Sequence, residues 1–207
     1  EGVNPKALYI QYSILRWTGL SPSLISGIAL SAKVSRALAS AEASIRYNKY
    51  ETGVVIDSNG NEILRKKGNK RFIQFTQEEG AKMKDAIFTH NHPSALGKKG
   101  INAIGNSFSS PDITMAITNN VKEMRAVTPT YTFSIKRPKN GWQELPHRAA
   151  TEYALADQRT RKKLQSYIDN YKGDKSKAIE RANVLHFNMV MKDLSKKYGW
   201  KYSHKKA

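Results

Sequence analysis

Residues 86–113 read AIFTHNHPSALGKKGINAIGNSFSSPDI, and this stretch decides the expected fold and chemistry. It begins with a short apolar run that suits a buried strand, and Pro93 ends that strand. Side chains two positions apart on a strand point to the same side, so His90 and His92 would lie together at its end. Ser110-Pro111-Asp112 has the composition of a helix start, which would fix Asp112 on a first helical turn.

The flanking sequence predicts strands and helices around this stretch. The pattern predicts an apolar strand at Glu51–Asp57, followed by a hairpin turn at Asn59-Gly60. It then predicts a capped helix at 76–85 and a longer amphipathic helix at 111–126. An alternating strand follows at Tyr131–Ile135. Phe72, Ile73 and Phe75 indicate another extended piece. We therefore predict an α/β (α+β) fold, in which a mixed sheet is flanked by helices.

The chain divides into three zones. Residues 1–47 are a predicted helical segment, in which Leu8, Tyr12 and Leu15 recur at helical spacing and Ser21-Pro22 breaks the run. Residues 48–145 are the predicted α/β domain. Residues 146–207 are a predicted basic extension of two helices, from about His147 to Tyr171 and from about Lys175 to Tyr198, with Gly199 as the terminating glycine.

The net charge of +18 is the strongest global feature. Residues 147–207 hold 15 basic and 6 acidic residues, which is half of the excess. Such a field favours polyanions, so we expect DNA or RNA binding through this region, or an acidic protein substrate. Its aromatic residues could stack on unpaired bases, although at helical spacing they are more often core: Tyr153, Tyr167, Tyr171, Tyr198, Trp200 and Tyr202.

The absence of cysteine restricts any zinc site to histidine and carboxylate ligands. A catalytic zinc commonly takes three protein ligands and keeps one position for water, and His90, His92 and Asp112 could supply the three. Glu51 could then be the general base, because a carboxylate at the start of an apolar strand needs a reason. Taken singly, Asp112 is also explained as a helix cap, and Glu51 as a surface acid on an edge strand.

These residues together resemble the JAMM (MPN-plus) metalloprotease family, over roughly residues 48–140. The resembling segments are the Glu51 strand (ETGVVID), THNHPS at 89–94 and SSPDI at 109–113, and the wording is closest to RadC-like and phage-associated JAMM domains. The resemblance implies a cytidine-deaminase-like fold and a zinc ion bound by His90, His92 and Asp112. It further implies Glu51 as the base and Ser109 as a stabiliser of the oxyanion.

The sequence departs from the family pattern in spacing. The gap between His92 and Ser109 is 16 residues, wider than usual in the family, and residues 95–106 are interpreted as an insertion. This insertion could be a lid, a substrate-binding finger, or a sign that the Ser109 and Asp112 assignments are wrong. The number of residues between Glu51 and His90 is smaller than usual in the family, which leaves Glu42 as an alternative base.

Other histidines and the literal HNH string are given no chemistry. An HNH nuclease site is built from scattered residues and not from three consecutive ones, and His186 shares a helical face with apolar residues and is predicted to be a core histidine. His147 and His204 lie in basic stretches and receive no role.

The leading functional prediction is zinc-dependent hydrolysis of peptide or isopeptide bonds. The alternatives are a nucleic-acid-binding or nucleic-acid-cleaving phage or mobile-element effector that uses the same site, and a structural module of a larger phage protein. No run of about 20 apolar residues is present, so no membrane span is predicted. We expect a cytoplasmic protein, or part of a phage-derived or delivered larger protein, since the sequence does not begin with Met.

Overall fold

The computed structural model describes residues 22–143 and 146–207, and the predicted α+β class is confirmed. The helices are α1 (Pro22–Ile45), α2 (Gln77–Ala81), α3 (Ser110–Thr118), α4 (Pro146–Asp169) and α5 (Lys175–Tyr198), with short 3-10 helices at Pro93–Ala95 and Gly100–Ile104. The strands are β1 (Thr52–Ile56), β2 (Glu62–Lys67), β3 (Ile87–Asn91), β4 (Glu123–Val127), β5 (Tyr131–Lys136) and β6 (Lys201–Lys206). The predicted recurrence of Leu8, Tyr12 and Leu15 lies outside the described residues.

The six strands form one mixed sheet in the order β2-β1-β3-β4-β5-β6. β3 and β4 run parallel, and the other neighbouring pairs are antiparallel. The predicted hairpin joins β1 to β2, where Gly60 takes a positive φ of 77° and the Asp57 carboxylate accepts bonds from the backbone of Asn59 and Asn61. These bonds satisfy the turn backbone and fix the register.

The predicted helix over 111–126 is wrong in its second half. α3 ends at Thr118, Asn120 takes a positive φ of 50°, and residues 123–127 form β4 beside β3. Val121 and Met124 are fully buried in this arrangement too, so their apolar character fits either structure. The parallel pairing of β4 with β3 is a long-range contact that helical spacing within one segment cannot reveal.

The C-terminal region was predicted as two helices, and both are present. Gly199 has a φ of 68°, the left-handed conformation expected after a helix. No strand is predicted after Gly199, yet β6 pairs with β5 and completes the sheet. The predicted extended piece at residues 72–75 forms no strand; it crosses from β2 to α2 as irregular chain.

Apolar residues are buried on both faces of the sheet. The helices α3, α4 and α5 cover the front face, where Val55, Phe88, Met124 and Phe133 belong to the larger core. The helix α1 covers the back face, where Ile45 contacts the smaller cluster of Val54, Ile56 and Val127. None of the helices in residues 22–143 and 146–207 combines the length and the apolar character that crossing a bilayer requires.

Candidate metal centre

Three elements meet at one edge of the front face: the end of β3, the start of β1 and the first turn of α3. The antiparallel pairing of β1 with β3 places Gly53 opposite His90, so the segment that precedes β1 lies beside the end of β3. Gly53 faces the front, and a Cβ there would lie 2.6 Å from the Phe88 ring. A glycine at this position lets Phe88 lie flat beneath the histidines.

The structure brings His90, His92 and Asp112 together, with ligand atoms of all three within 4.8 Å of one another. The two Nε2 atoms are 2.9 Å apart, and the Asp112 carboxylate oxygens lie 3.4 Å from His90 Nε2 and 3.8 Å from His92 Nε2. A tetrahedral ion with bonds of about 2.1 Å separates its ligand atoms by about 3.4 Å. The observed separations bracket this value, so the cluster can hold a metal ion.

The rings are held in the orientation that a metal needs. His92 Nδ1 lies 2.9 Å from the carbonyl oxygen of Asn106, and a carbonyl only accepts, so Nδ1 carries the proton and Nε2 keeps its lone pair. The His90 ring stacks on Phe88 with a centroid distance of 5.2 Å and an interplanar angle of 13°. His90 Nδ1 is buried without a hydrogen-bond partner among the described residues. Both histidines are buried.

Asp112 is both a helix cap and a candidate ligand. The backbone N–H and the hydroxyl of Ser109 donate to Asp112 Oδ2 at 2.7 and 2.6 Å, which completes a capping box at the start of α3. Both bonds use Oδ2, so Oδ1 remains directed at His90. The cap and ligand interpretations of the sequence are therefore compatible. The proton of the Ser109 hydroxyl is engaged with Asp112, and its contact with an oxyanion stays a prediction.

Glu51 lies at the start of β1, near the cluster but outside the group of three ligands. Its backbone is fixed by hydrogen bonds with Gly68 and Asn69, both of 2.8 Å. Burial raises the pKa of the Glu51 carboxyl from 4.5 to about 7; the charge of His90 opposes this rise and that of Asp112 adds to it. A pKa near neutrality suits a group that must both accept and release a proton.

Without a metal, a proton on His90 supplies the positive charge of the cluster. Burial by itself would lower the pKa of His90, but the carboxylates of Asp112 and Glu51 outweigh it and raise that pKa. Burial and then the charge of His90 lower the pKa of His92. Burial would raise the pKa of Asp112, but the charge of His90 outweighs it and holds that pKa well below its ordinary value. In the metal-free site, one positive charge, on His90, therefore lies beside the carboxylates of Asp112 and Glu51.

Asn91 was given no role from sequence, yet it connects the two halves of the site. Its side chain is fully buried on the back face, where Oδ1 accepts from the backbone N–H of Thr52 at 2.7 Å and Nδ2 donates to the carbonyl of Asn48 at 3.0 Å. These bonds tie the segment around Glu51 to the strand that carries the histidines. The signal was available: a polar residue between two same-face histidines must point to the opposite face and needs partners there.

Glu42 does not fit as a substitute base. It lies on α1 against the back face, where its carboxylate pairs with Arg125 at 2.5 Å and accepts from the Thr89 hydroxyl at 3.4 Å. Thr89 and His90 are consecutive on β3 and therefore face opposite sides of the sheet. Glu42 is a buried structural acid that attaches α1 to the sheet.

The insertion at 95–106 packs beside the site. Its carbonyl groups at Ala103 and Ile104 accept from the hydroxyls of Thr130 and Thr128 at 2.5 and 2.8 Å. Asn106 is the one residue of the insertion that lines the cleft, and its carbonyl orients His92. The insertion therefore supports the metal ligands, which favours neither a lid nor a substrate-binding finger.

His186 and His204 do not belong to the cluster. His186 is buried on α5 with Nε2 2.6 Å from a carboxylate oxygen of Asp157, consistent with the predicted core histidine. His204 is exposed on β6. The side chain of His147 lies outside the described ones.

The cluster opens into a cleft of about 290 Å³. Irregular chain between β2 and α2 forms one wall, with Lys70, Arg71, Phe72, Ile73 and Phe75. Met115 from α3 and Phe187 from α5 complete the apolar lining. The metal cluster and Glu51 are thus accessible from one side, as a hydrolytic site requires.

Comparison of the chain with protein-family models, with curated proteins and with solved structures finds no match.

Proposed function

We propose that this protein is a zinc-dependent hydrolase of peptide or isopeptide bonds, of the JAMM type that its sequence resembles. The observation that carries the proposal is the convergence of His90, His92 and Asp112 at the foot of an open cleft, beside Glu51 with its raised pKa. Three ligands and a neighbouring carboxylate are the parts that a catalytic zinc site uses.

Zinc is favoured by the chemistry of the ligands. Two imidazoles and one carboxylate, with no thiolate, are a common catalytic zinc set. When bound, the ion would supply a Lewis acid for the scissile carbonyl and a water that is acidic near neutral pH. Asp112 Oδ1 and the Nε2 atoms of His90 and His92 would be the ligand atoms.

Glu51 moves the proton in this mechanism. In its carboxylate form it accepts a proton from the attacking water, and in its acid form it donates that proton to the leaving nitrogen. Burial raises the pKa of Glu51 to about 7 in the metal-free site, and a bound cation would lower it, which favours the carboxylate that accepts the proton. Ser109 keeps the Asp112 ligand in place through the capping box, and rotation of its hydroxyl towards the substrate would stabilise the oxyanion.

The substrate class follows from charge. The chain carries a net charge of +18, so an acidic protein is the expected partner. Phosphodiester cleavage is the less favoured alternative, since it usually uses two metal ions and the part of the chain that the structure describes holds one candidate cluster.

The test separates metal binding from chemistry. We expect about one zinc per chain by elemental analysis of protein purified with zinc, with loss of zinc in His92→Ala and Asp112→Asn. Glu51→Gln should retain zinc and lose cleavage of a fluorescence-quenched peptide library. Glu78→Gln, at an exposed acid on α2 away from the cleft, is the matched control and should retain both zinc and cleavage. Full zinc retention in both ligand variants would refute the site.

A further inference from the structure

Two loops lie beside one another and are called the rim here: residues 47–50, which directly precede Glu51, and residues 67–72. They are joined by the two backbone hydrogen bonds of 2.8 Å between Glu51 and residues 68 and 69. The second loop also supplies Lys70, Arg71 and Phe72 to the cleft wall. The second loop therefore links the rim to the wall of the candidate active site.

Exposed aromatic rings are concentrated on the rim. Among the large apolar side chains that the described residues expose, three are aromatic, and all three are here: Tyr47 is 63% exposed, Tyr50 41% and Phe72 55%. By contrast, none of the six aromatic residues predicted to stack in the basic C-terminal region is exposed. Exposed aromatic rings that lie in neighbouring segments typically mark a binding surface.

The rim is also strongly basic. Lys49, Lys67, Lys70 and Arg71 are all exposed, and within residues 22–143 and 146–207 none of them forms an ion pair. Neither loop contains an acidic residue. Lys67 Nζ lies over the Tyr50 ring, 4.6 Å from its centre, so a cation already covers one face of that ring. Charge and rings are thus interleaved.

Both loops are held in shape before any ligand binds. Asn48 donates to the Thr52 hydroxyl at 3.0 Å and accepts from Asn91 at 3.0 Å. Asn69 accepts from the backbone N–H groups of Arg71 and Phe72 at 2.7 and 3.0 Å. A ligand would therefore meet rings and cations whose backbone needs little further ordering, which lowers the entropic cost of binding.

We propose that the rim binds single-stranded nucleic acid, with Tyr47, Tyr50 and Phe72 stacking on bases and the adjacent cations contacting phosphates. Every base offers a flat π-face, and stacking requires bases that are not already paired. An acidic peptide would satisfy the cations but would leave three aromatic faces unused. The proposal does not depend on hydrolysis or on zinc, because no metal ligand belongs to the rim.

The experiment measures binding of fluorescent oligothymidylate to the full chain by anisotropy, against an abasic strand with the same number of phosphates and against duplex DNA. We expect Tyr47→Ser and Phe72→Ser each to weaken oligothymidylate binding by about 5- to 100-fold. The same substitutions should leave abasic-strand and duplex binding unchanged. Leu155→Ser, which alters an exposed apolar residue on α4, is the matched control and should change none of the three.

Three outcomes would overturn the proposal. The first is equal affinity of the wild-type chain for thymidylate and abasic strands, which would leave only phosphate contacts. The second is unchanged thymidylate binding in both aromatic variants. The third is displacement of the labelled strand by a polyglutamate of equal charge as effectively as by unlabelled oligothymidylate, which would identify an acidic-protein surface. The rim variants should bind as much zinc as the wild type. This control distinguishes the loss of a base contact from damage to the fold.

Discussion

Replacing Glu51 by Gln should stabilise the metal-free protein and abolish its proposed activity. The carboxyl is half-buried beside the cluster, and its pKa is raised to about 7 because burial disfavours the charged form. In the unfolded chain the same group titrates near 4.5. The folded protein therefore holds the proton more tightly than the unfolded chain does.

The sign of the pH dependence follows from this difference. Below about pH 4.5 both states are protonated and Glu51 carries no charge penalty. As pH rises from about 4.5 to about 7, the unfolded chain ionises while the folded chain keeps its proton, and above about 7 the folded chain must carry a buried charge, so this stability is lost. The rise from 4.5 to about 7 corresponds to at most about 3.4 kcal/mol. Because the side chain is partly solvated and therefore screened, we expect about 1–2 kcal/mol.

Urea unfolding in the presence of a chelator measures this effect. At pH 8, Glu51→Gln should exceed wild type in the free energy of unfolding by about 1–2 kcal/mol, and at pH 4 the two should agree. Glu78→Gln is the control, because Glu78 is an exposed acid whose ion pair with Lys82 spans 3.7 Å. It should change stability by less than about 0.5 kcal/mol at either pH.

Turnover is the second measurement on the same variant. Zinc-loaded Glu51→Gln should cleave roughly 10²- to 10⁴-fold more slowly, which is the usual contribution of a general base. A variant that is no more stable than wild type at pH 8 would refute the burial argument. A stabilised variant with full activity would keep the burial argument and remove Glu51 from the mechanism.

Three further predictions concern the support of the site and the charge of the C-terminal region. Gly53→Ala would place a methyl group 2.6 Å from the Phe88 ring and should cost about 1–3 kcal/mol in urea unfolding, whereas Gly27→Ala, in open space on α1, should be neutral or stabilising. Asn91→Leu should cost about 2–3 kcal/mol by the same measurement, because it leaves the buried backbone groups of Thr52 and Asn48 unpaired; retention of wild-type stability would contradict this. Lys162 and Lys163 on α4 and Lys172 in the turn after it are exposed. Replacing any one of them by Gln should reduce the slope of log affinity for duplex DNA against log salt concentration by about one. An unchanged slope would exclude that residue from the interface.

The C-terminal region is part of the same core and the same sheet as the rest of the chain, so its role in binding is tested by point substitutions and not by truncation. Residues of α4 and α5, such as Ala156 and Val190, lie in the same core as the front of the sheet, and β6 is the last strand of that sheet. Removal of residues 147–207 would therefore expose the core. Loss of DNA binding after such a truncation would report unfolding as much as lost charge.

Local patterns predicted the elements whose determinants are close in sequence. The hairpin at Asn59-Gly60 depends on a left-handed glycine, and the helix at Thr76 depends on its capping box with Glu79. Both were identified correctly for that reason. The segment 119–126 was misassigned because its apolar residues fit a helix or a buried strand equally well, and pairing with β3 decides between the two.

The candidate site shows the same division. Spacing two apart on a strand predicted that His90 and His92 share a face, and the helix-start composition predicted the mount of Asp112. The proximity of Asp112 to the histidines across a 16-residue gap did not follow from spacing; the resemblance implied it. The fold achieves it because the insertion packs against the β4–β5 turn and returns the chain to the end of β3.

By itself, the sequence determined the chemistry that this protein can offer: two imidazoles and a carboxylate without thiols, a candidate base in Glu51 or Glu42, and a large positive charge. Residue types and short-range geometry suffice for that. Only the tertiary structure decided which acid faces the cluster, since Glu51 and Glu42 are separated by the thickness of the sheet. It also decided where aromatic rings remain in water, because burial depends on contacts between distant segments. Those contacts cover the rings of the C-terminal region and leave Tyr47, Tyr50 and Phe72 exposed on the rim.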